Sequence, residues 1–173
     1  MCPPDGGDPA VRPPPTIGSM DAMFDVLAGG ASPSGDFGPV RRPGPGFDDM
    51  ALAVRTRIEE SFDVDLNVAA DVPEAIESIA AGMWSTGWTE MDANTAVLPH
   101  DLGLVLTVAL HVTLGGSILT RGDDQWIHCS IWWEDRRLEA FPFHKVLKRL
   151  TEQDGESLTY FDRSLRARLG DGI

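Results

Sequence analysis

The C-terminal half of the chain contains, at residues 126–143, the stretch WIHCSIWWEDRRLEAFPF. Its first part, Trp126–Trp133, is rich in aromatic and β-branched residues and predicts a β-strand, in which successive side chains point to opposite faces. Glu134–Arg137 has the polar composition of a turn, and Leu138–Phe143 returns as an antiparallel strand. Pro142 has no amide hydrogen to donate, so this second strand lies at a sheet edge or ends there. The stretch therefore predicts a β-hairpin.

Further elements flank the hairpin on both sides. A short strand is predicted just before it, at Ser117–Leu119. Apolar residues recur at helical spacing in four other segments, Asp49–Phe62, Pro73–Ser85, Lys145–Thr151 and Glu156–Leu169. We therefore predict an α+β fold in which a small antiparallel sheet packs against about four to five helices. The predicted domain spans residues 47–173.

The longest apolar run, Leu102–Leu114, fits two structures. Leucine and valine alternate along it as in a strand, but the run also begins after a possible helix cap at Asp101 and ends at Gly115-Gly116. We favour a buried central helix, because strands rarely reach thirteen residues. Asn94–Leu98, just before the run, is predicted to be a loop or a short strand.

The first 46 residues differ from the rest in composition. They contain ten of the thirteen prolines and nine of the eighteen glycines. Proline removes amide donors and glycine adds chain entropy, so regular structure is not expected to persist there. Residues 1–46 are therefore predicted to be a disordered acidic arm.

One segment of the arm has a different pattern. Residues 19–28 read SMDAMFDVLA, and they place four large apolar residues at i, i+3, i+4 and i+7: Met20, Met23, Phe24 and Leu27. Ser19 suits a helix cap, and Gly29-Gly30 suits a helix end. A helix this short is unstable alone in water and needs a surface to lie on. The segment could dock on a partner protein or fold back on its own domain.

Composition limits the classes of partner and compartment. The formal net charge is −13, and residues 1–100 alone contribute −11, which disfavours nucleic acid and anionic membranes as partners. Cys2 and Cys129 do not form a disulfide framework, and no secretory signal is visible, so a cytoplasmic location is expected. The chain has two lysines against twelve arginines, which suggests a GC-rich bacterial genome.

The residues that could carry chemistry are few. Cys129 is a conceivable nucleophile, but neighbouring strand residues point to opposite faces, so His128 cannot serve it as a base. His144 could, if the hairpin register allows. The more economical interpretation is that Cys129 is a small buried hydrophobe. The histidine and cysteine spacings match no metal-binding motif, so neither a metal nor a cofactor is expected.

Other hairpin side chains are expected to be structural. Glu134, Asp135 and Glu139 lie on either side of Arg136 and Arg137 and are predicted to form solvated ion pairs. Trp132 and Trp133 fall on opposite faces, so one of them is expected to be partly exposed, and exposed tryptophan is typical of interfaces. We assign Trp133, with the four apolar residues of segment 19–28, to partner binding.

The order of these features resembles a group of uncharacterised bacterial domains. Residues 73–160 share with that group a helix ending near a tryptophan, here Trp84 and Trp88, and a central Leu-Gly step at Leu102-Gly103. A closing hairpin and helix follow in both. The resemblance implies a fold but no activity, and no functional residue is carried over from it.

Three functions are compatible with these observations. The favoured hypothesis is a non-enzymatic interaction protein, an adaptor or immunity-like accessory component with a tethered docking segment. The second is a small hydrolase-like enzyme using His128, Cys129 and His144. The third is a secreted effector in which the arm is an export signal.

Overall fold

The computed structural model describes residues 40–86, 97–121, 128–152 and 157–170, with the backbone alone at 121 and 128. Within these residues the chain forms five α-helices and one three-stranded antiparallel sheet. In chain order they are α1 (Phe47–Phe62), α2 (Val72–Ser85), α3 (Val97–Leu114), β1 (Ser117–Arg121), β2 (His128–Trp133), β3 (Leu138–Ala140), α4 (Pro142–Thr151) and α5 (Leu158–Leu169), with 3-10 turns at Ala69–Asp71 and Glu134–Arg136. The predicted α+β class is confirmed.

The ambiguous apolar run is a helix. It belongs to α3, which begins at Val97, so the prediction of a loop or strand through Leu98 is wrong. Pro99 explains the early start, because proline lacks only an amide hydrogen that the first turn would leave unpaired anyway. Asp101, expected to cap the helix, lies inside it and accepts a hydrogen bond from Arg57 Nη2 of α1 at 2.5 Å.

Helix α3 is the centre of the fold. It contacts α1, α2, α4, α5 and the strands β1 and β2. Eight of its 18 residues are buried, and five of them belong to one apolar core with side chains of every one of these helices: Leu102, Val105, Leu106, Ala109 and Leu110. Among the described residues it is the one helix with the length and composition of a membrane span, features that core helices of soluble proteins share.

The sheet has the order β1-β2-β3, and both pairs are antiparallel. Ser117 pairs with Trp132 in the first pair, and Trp132 pairs with Glu139 in the second. The predicted strand Leu138–Phe143 is too long, since β3 ends at Ala140 and Pro142 opens α4. The fixed φ of proline suits the first turn of a helix, so Phe143 and His144 are helical.

Two glycines permit close approach. An added Cβ at Gly103 of α3 would lie 2.8 Å from Phe143 Cα, so the backbones of α3 and α4 are too close there for a side chain to lie between them. At Gly116, where φ is +84°, an added Cβ would lie 2.8 Å from Trp133 Nε1. Both positions exclude any side chain, which explains glycine at the α3–α4 crossing and at the turn into β1.

A polar contact ties α2 to the two last helices. Both carboxylate oxygens of Glu77 accept hydrogen bonds, one from Arg149 Nε of α4 at 2.6 Å and the other from the amide of Leu158. That amide belongs to the first turn of α5, where helices have no internal acceptor for their amides. Glu77 therefore stabilises the start of α5.

The arm reaches the domain before the predicted boundary. Residues 40–46 are described, and Arg41 forms an isolated antiparallel bridge with Thr120 of β1. Arg41 N lies 2.9 Å from Thr120 O, and Thr120 N lies 2.8 Å from Arg41 O. The prediction of disorder up to residue 46 is wrong for this part, because the open edge of β1 offers donors and acceptors to a passing chain. Segment 19–28 lies outside the described residues.

Candidate functional site

The predicted thiol site does not have the properties of a nucleophile. Cys129 lies on β2 with 6% of its surface exposed, and burial raises the pKa of its thiol from 9.0 to about 11. Nucleophilic attack requires the thiolate, whose population at neutral pH is reduced by such a shift. His144 lies in the first turn of α4, where its ring packs 5.5 Å from Phe143 and 5.8 Å from Phe141 between ring centroids. The side chain of His128 is not among those described.

No metal centre is found in the described parts of the chain. Three or more histidine, cysteine, aspartate or glutamate side chains do not come together there. Metal sites in proteins need several such donors within bonding distance of one point.

Trp133 lies in the core. Its exposed fraction is 5%, and its indole nitrogen donates a hydrogen bond to Leu114 O at 3.0 Å. This burial leaves no surface for the partner contact assigned to it. Trp132, on the other face, is the partly exposed member of the pair. The alternation was correct, but alternation alone does not say which face the helices cover.

Glu139 is also not the solvated turn residue expected from the sequence. It is 1% exposed, and its Oε1 accepts a 2.6 Å hydrogen bond from Ser130 Oγ, also 1% exposed. Cys129, Ser130 and Ile131 are all buried, so β2 is covered on both faces. The Ser130–Glu139 pair is closed to solvent, which fits a structural role.

The described residues enclose an apolar groove between α1, α3 and the strap, the name used here for residues 40–46. Its volume is about 780 Å³. The floor consists of apolar side chains of α1 and α3, and its walls are the strap and the start of β1. The main apolar residues are Ala51, Leu52, Val105, Val108, Ala109 and Val112.

Two of these side chains are unusually exposed for apolar residues. Leu52 of α1 is 53% exposed and Val112 of α3 is 67% exposed. They belong to helices whose other faces are buried, and the same groove is also lined by the buried Val105. Exposed apolar surface beside a cavity is typical of interaction sites.

Two cationic side chains are among the residues that line the groove. Arg42 of the strap and Arg55 of α1 both line the groove, with Asp48 as the acidic residue among the lining side chains. Arg55 Nε is buried and has no hydrogen bond within the described residues, and its one ion pair there is a 3.9 Å contact with Glu59 Oε2. A chain of net charge −13 thus presents two arginines at its apolar groove. Apolar burial and pairing with a carboxylate are what this site offers a ligand.

His111 completes the site at the end of α3. Its Nδ1 lies 2.9 Å from Gly116 O, so in the neutral ring Nδ1 carries the proton that is donated. The groove is not predicted by any motif in the sequence. One feature of the sequence does point to it. Helix α3 is apolar on nearly all sides, so any part of α3 that its neighbours leave uncovered is an apolar surface.

Comparisons with protein-family models, with curated proteins and with solved structures found no match to this chain. The resemblance to uncharacterised bacterial domains therefore stays a prediction.

Proposed function

We propose that this protein is a non-enzymatic adaptor that binds an apolar, acidic segment of a partner protein in the groove between α1 and α3. The observation that supports this most strongly is the apolar groove itself, with Leu52 and Val112 exposed on its sides. Helix-in-groove recognition uses such a surface, with apolar anchors spaced three and four residues apart. The arm and its segment 19–28 are part of the same proposal, as a second element able to dock.

The charges at the rim select the kind of segment. Arg42 and Arg55 stand beside the apolar floor, so carboxylates flanking the anchors of a partner would pair with them. Charged rim contacts contribute more to specificity and association rate than to affinity. The apolar floor would supply most of the binding free energy, about 1.5–3 kcal/mol for each large side chain that becomes fully buried.

An enzymatic role is the weaker proposal. The raised pKa and the burial of Cys129 disfavour thiol chemistry, since a buried neutral thiol is a poor nucleophile. The expectations of a cytoplasmic location and of no nucleic-acid or membrane partner remain predictions from composition.

A peptide-display selection against the full-length protein tests the proposal. The bait carries Met23→Ser, Phe24→Ser and Leu27→Ser, so that its own arm does not compete for the groove. Selected peptides are then measured by fluorescence anisotropy against Leu52→Asp and Val112→Asp versions of the bait. We expect each substitution to weaken binding about tenfold to a hundredfold, because a charge replaces an apolar contact.

Leu147→Asp is the matched control. Leu147 on α4 is also exposed, at 37%, and does not line the groove. It should leave affinity unchanged, and thermal melting should show all three variants folded. Selection of no peptide, or equal weakening by the Leu147 control, would contradict the proposal.

A further inference from the structure

We infer that in the full-length protein the groove is occupied by the chain's own segment Met20–Leu27. The inference rests on the proposed function, because both require the groove to accept an apolar helix. It adds the identity of one ligand and makes the arm a competitor of any partner.

The first observation is where the described chain begins. Arg41 is held against Thr120 by two backbone hydrogen bonds of 2.9 and 2.8 Å, and Thr120 Oγ1 donates a third to Arg41 O at 3.2 Å. The next five residues, Arg42–Gly46, line the groove. The residues that precede Val40 therefore leave the domain beside the groove and not from a distant face.

The second observation is the length of the connection. Twelve residues, 28–39, separate the segment from Val40. A chain of that length spans at most about 40 Å, and a flexible one averages about 20 Å between its ends. Helix α1, which forms one side of the groove, is about 24 Å long for its 16 residues. The connection thus reaches every part of the groove.

This connection raises the local concentration of the segment. Short flexible linkers give effective concentrations on the order of 1 mM. A segment whose separate affinity was only about 100 μM would then occupy the groove roughly nine-tenths of the time. Self-docking consequently needs only a weak affinity between the separate segment and the groove.

The third observation is chemical complementarity. The segment carries the apolar face Met20, Met23, Phe24 and Leu27, which matches the apolar floor in kind. In a helix, Asp21 would lie next to that face and Asp25 one turn further along, and Arg42 and Arg55 are among the residues that line the groove. Opposite charges at the rim would hold the segment in one orientation. Methionine suits such a site, because its flexible side chain adapts to irregular apolar surfaces.

Paramagnetic NMR on the full-length protein tests the inference. A nitroxide is attached at Ala22→Cys in a Cys2→Ser background, where Cys129 is buried and escapes labelling. We expect severalfold broadening of the amide signals of Leu52, Val112 and Ile118 relative to the reduced label. Tyr160, exposed on α5 and not among the lining residues, should be unaffected. Uniform or absent broadening would overturn the inference.

Two further samples separate the possible occupants. Replacing Phe24 and Leu27 by serine should remove the broadening, whereas Val26→Ser, off the apolar face, should retain it. Mixing spin-labelled chains at natural nitrogen abundance with ¹⁵N-labelled chains without a label reports docking between copies. Broadening in that mixture equal to the intramolecular effect would assign the groove to a second copy and reject self-docking.

The outcomes also separate this inference from the proposed function. If selected peptides bind the groove of the arm variant but the spin label broadens nothing, only self-docking fails. If Leu52→Asp alters neither peptide binding nor broadening, the groove is not a docking site and both fail.

Discussion

Gly103 sets how closely α3 and α4 approach, because its missing side chain leaves room for Phe143. At the scale of single residues, the sequence was informative wherever alternation or helical spacing defined a face. Leu158, Phe161 and Leu165 of α5 are buried as their spacing predicts. Glu139 and Trp133 show the limit: which face of the hairpin is covered depends on helices whose positions no local pattern specifies.

Gly103→Ala should destabilise the protein by about 1–3 kcal/mol, because an added methyl group would overlap the Phe143 backbone and force α3 and α4 apart. Urea denaturation measures the change. Gly82→Ala is the matched control, since its added Cβ on α2 meets nothing within 4 Å. The control should gain about 0.5–1 kcal/mol from alanine's higher helix propensity. Similar effects at the two sites would refute the close packing at Gly103.

Cys129 should make stability depend on alkaline pH. Burial raises the pKa of its thiol from 9.0 to about 11. Between these values the unfolded chain loses the proton while the folded chain keeps it, so the free energy of unfolding falls as pH rises. The fall is up to about 2–3 kcal/mol. Cys129→Ala should lack this part of the decline when both proteins are unfolded in urea at about pH 8 and about pH 10.5. Parallel declines would show that the thiol ionises normally.

At the scale of elements, composition and length predicted whether a segment is a helix or a strand better than they predicted the residues at which it begins and ends. The central run was correctly assigned as a helix by its length, yet α3 starts five residues earlier than the apolar run, at Val97. β3 ends before Pro142, whereas the sequence predicted a strand at a sheet edge or ending there and a helix only from Lys145. Boundaries of this kind depend on contacts between elements, such as the one that Glu77 makes with the amide of Leu158.

Glu77→Gln should lower the free energy of unfolding by about 1.5–3 kcal/mol. The substitution removes the charge that pairs with Arg149 and weakens the acceptor at the start of α5, in a partly buried site. Chemical denaturation and amide exchange over α5 would measure the loss. Glu60→Gln, at an exposed position of α1, should stay within about 0.5 kcal/mol of the wild type. A loss no greater than that of Glu60→Gln would exclude the proposed tie between helices.

At the scale of the whole molecule, the sequence predicted the α+β class but placed the arm boundary too late. Proline and glycine content marks residues 40–46 as arm, whereas the open edge of β1 holds Arg41 in place. The groove follows from the same arrangement, since the strap forms one of its walls. No local pattern predicts a surface that three separate parts of the chain form together.

Arg41→Pro should detach the strap, because proline cannot donate the hydrogen bond that Arg41 N makes to Thr120 O. The amide of Thr120, whose acceptor is Arg41 O, should then exchange with solvent about fivefold faster, equivalent to ~1 kcal/mol. Arg41→Ala keeps the backbone bonds and should behave as wild type. Unchanged exchange in the proline variant would show that the bridge contributes nothing to holding the strap.

The most direct test of the groove as the docking site of the segment Met20–Leu27 is the affinity of a fluorescein-labelled peptide of residues 17–30 for the full-length protein carrying Met23→Ser, Phe24→Ser and Leu27→Ser. Docking predicts saturable anisotropy with a Kd on the order of 100 μM or tighter. It also predicts about tenfold weakening by Leu52→Asp and none by Leu147→Asp. An unsaturated signal at millimolar protein, or the same affinity in both aspartate variants, would contradict it.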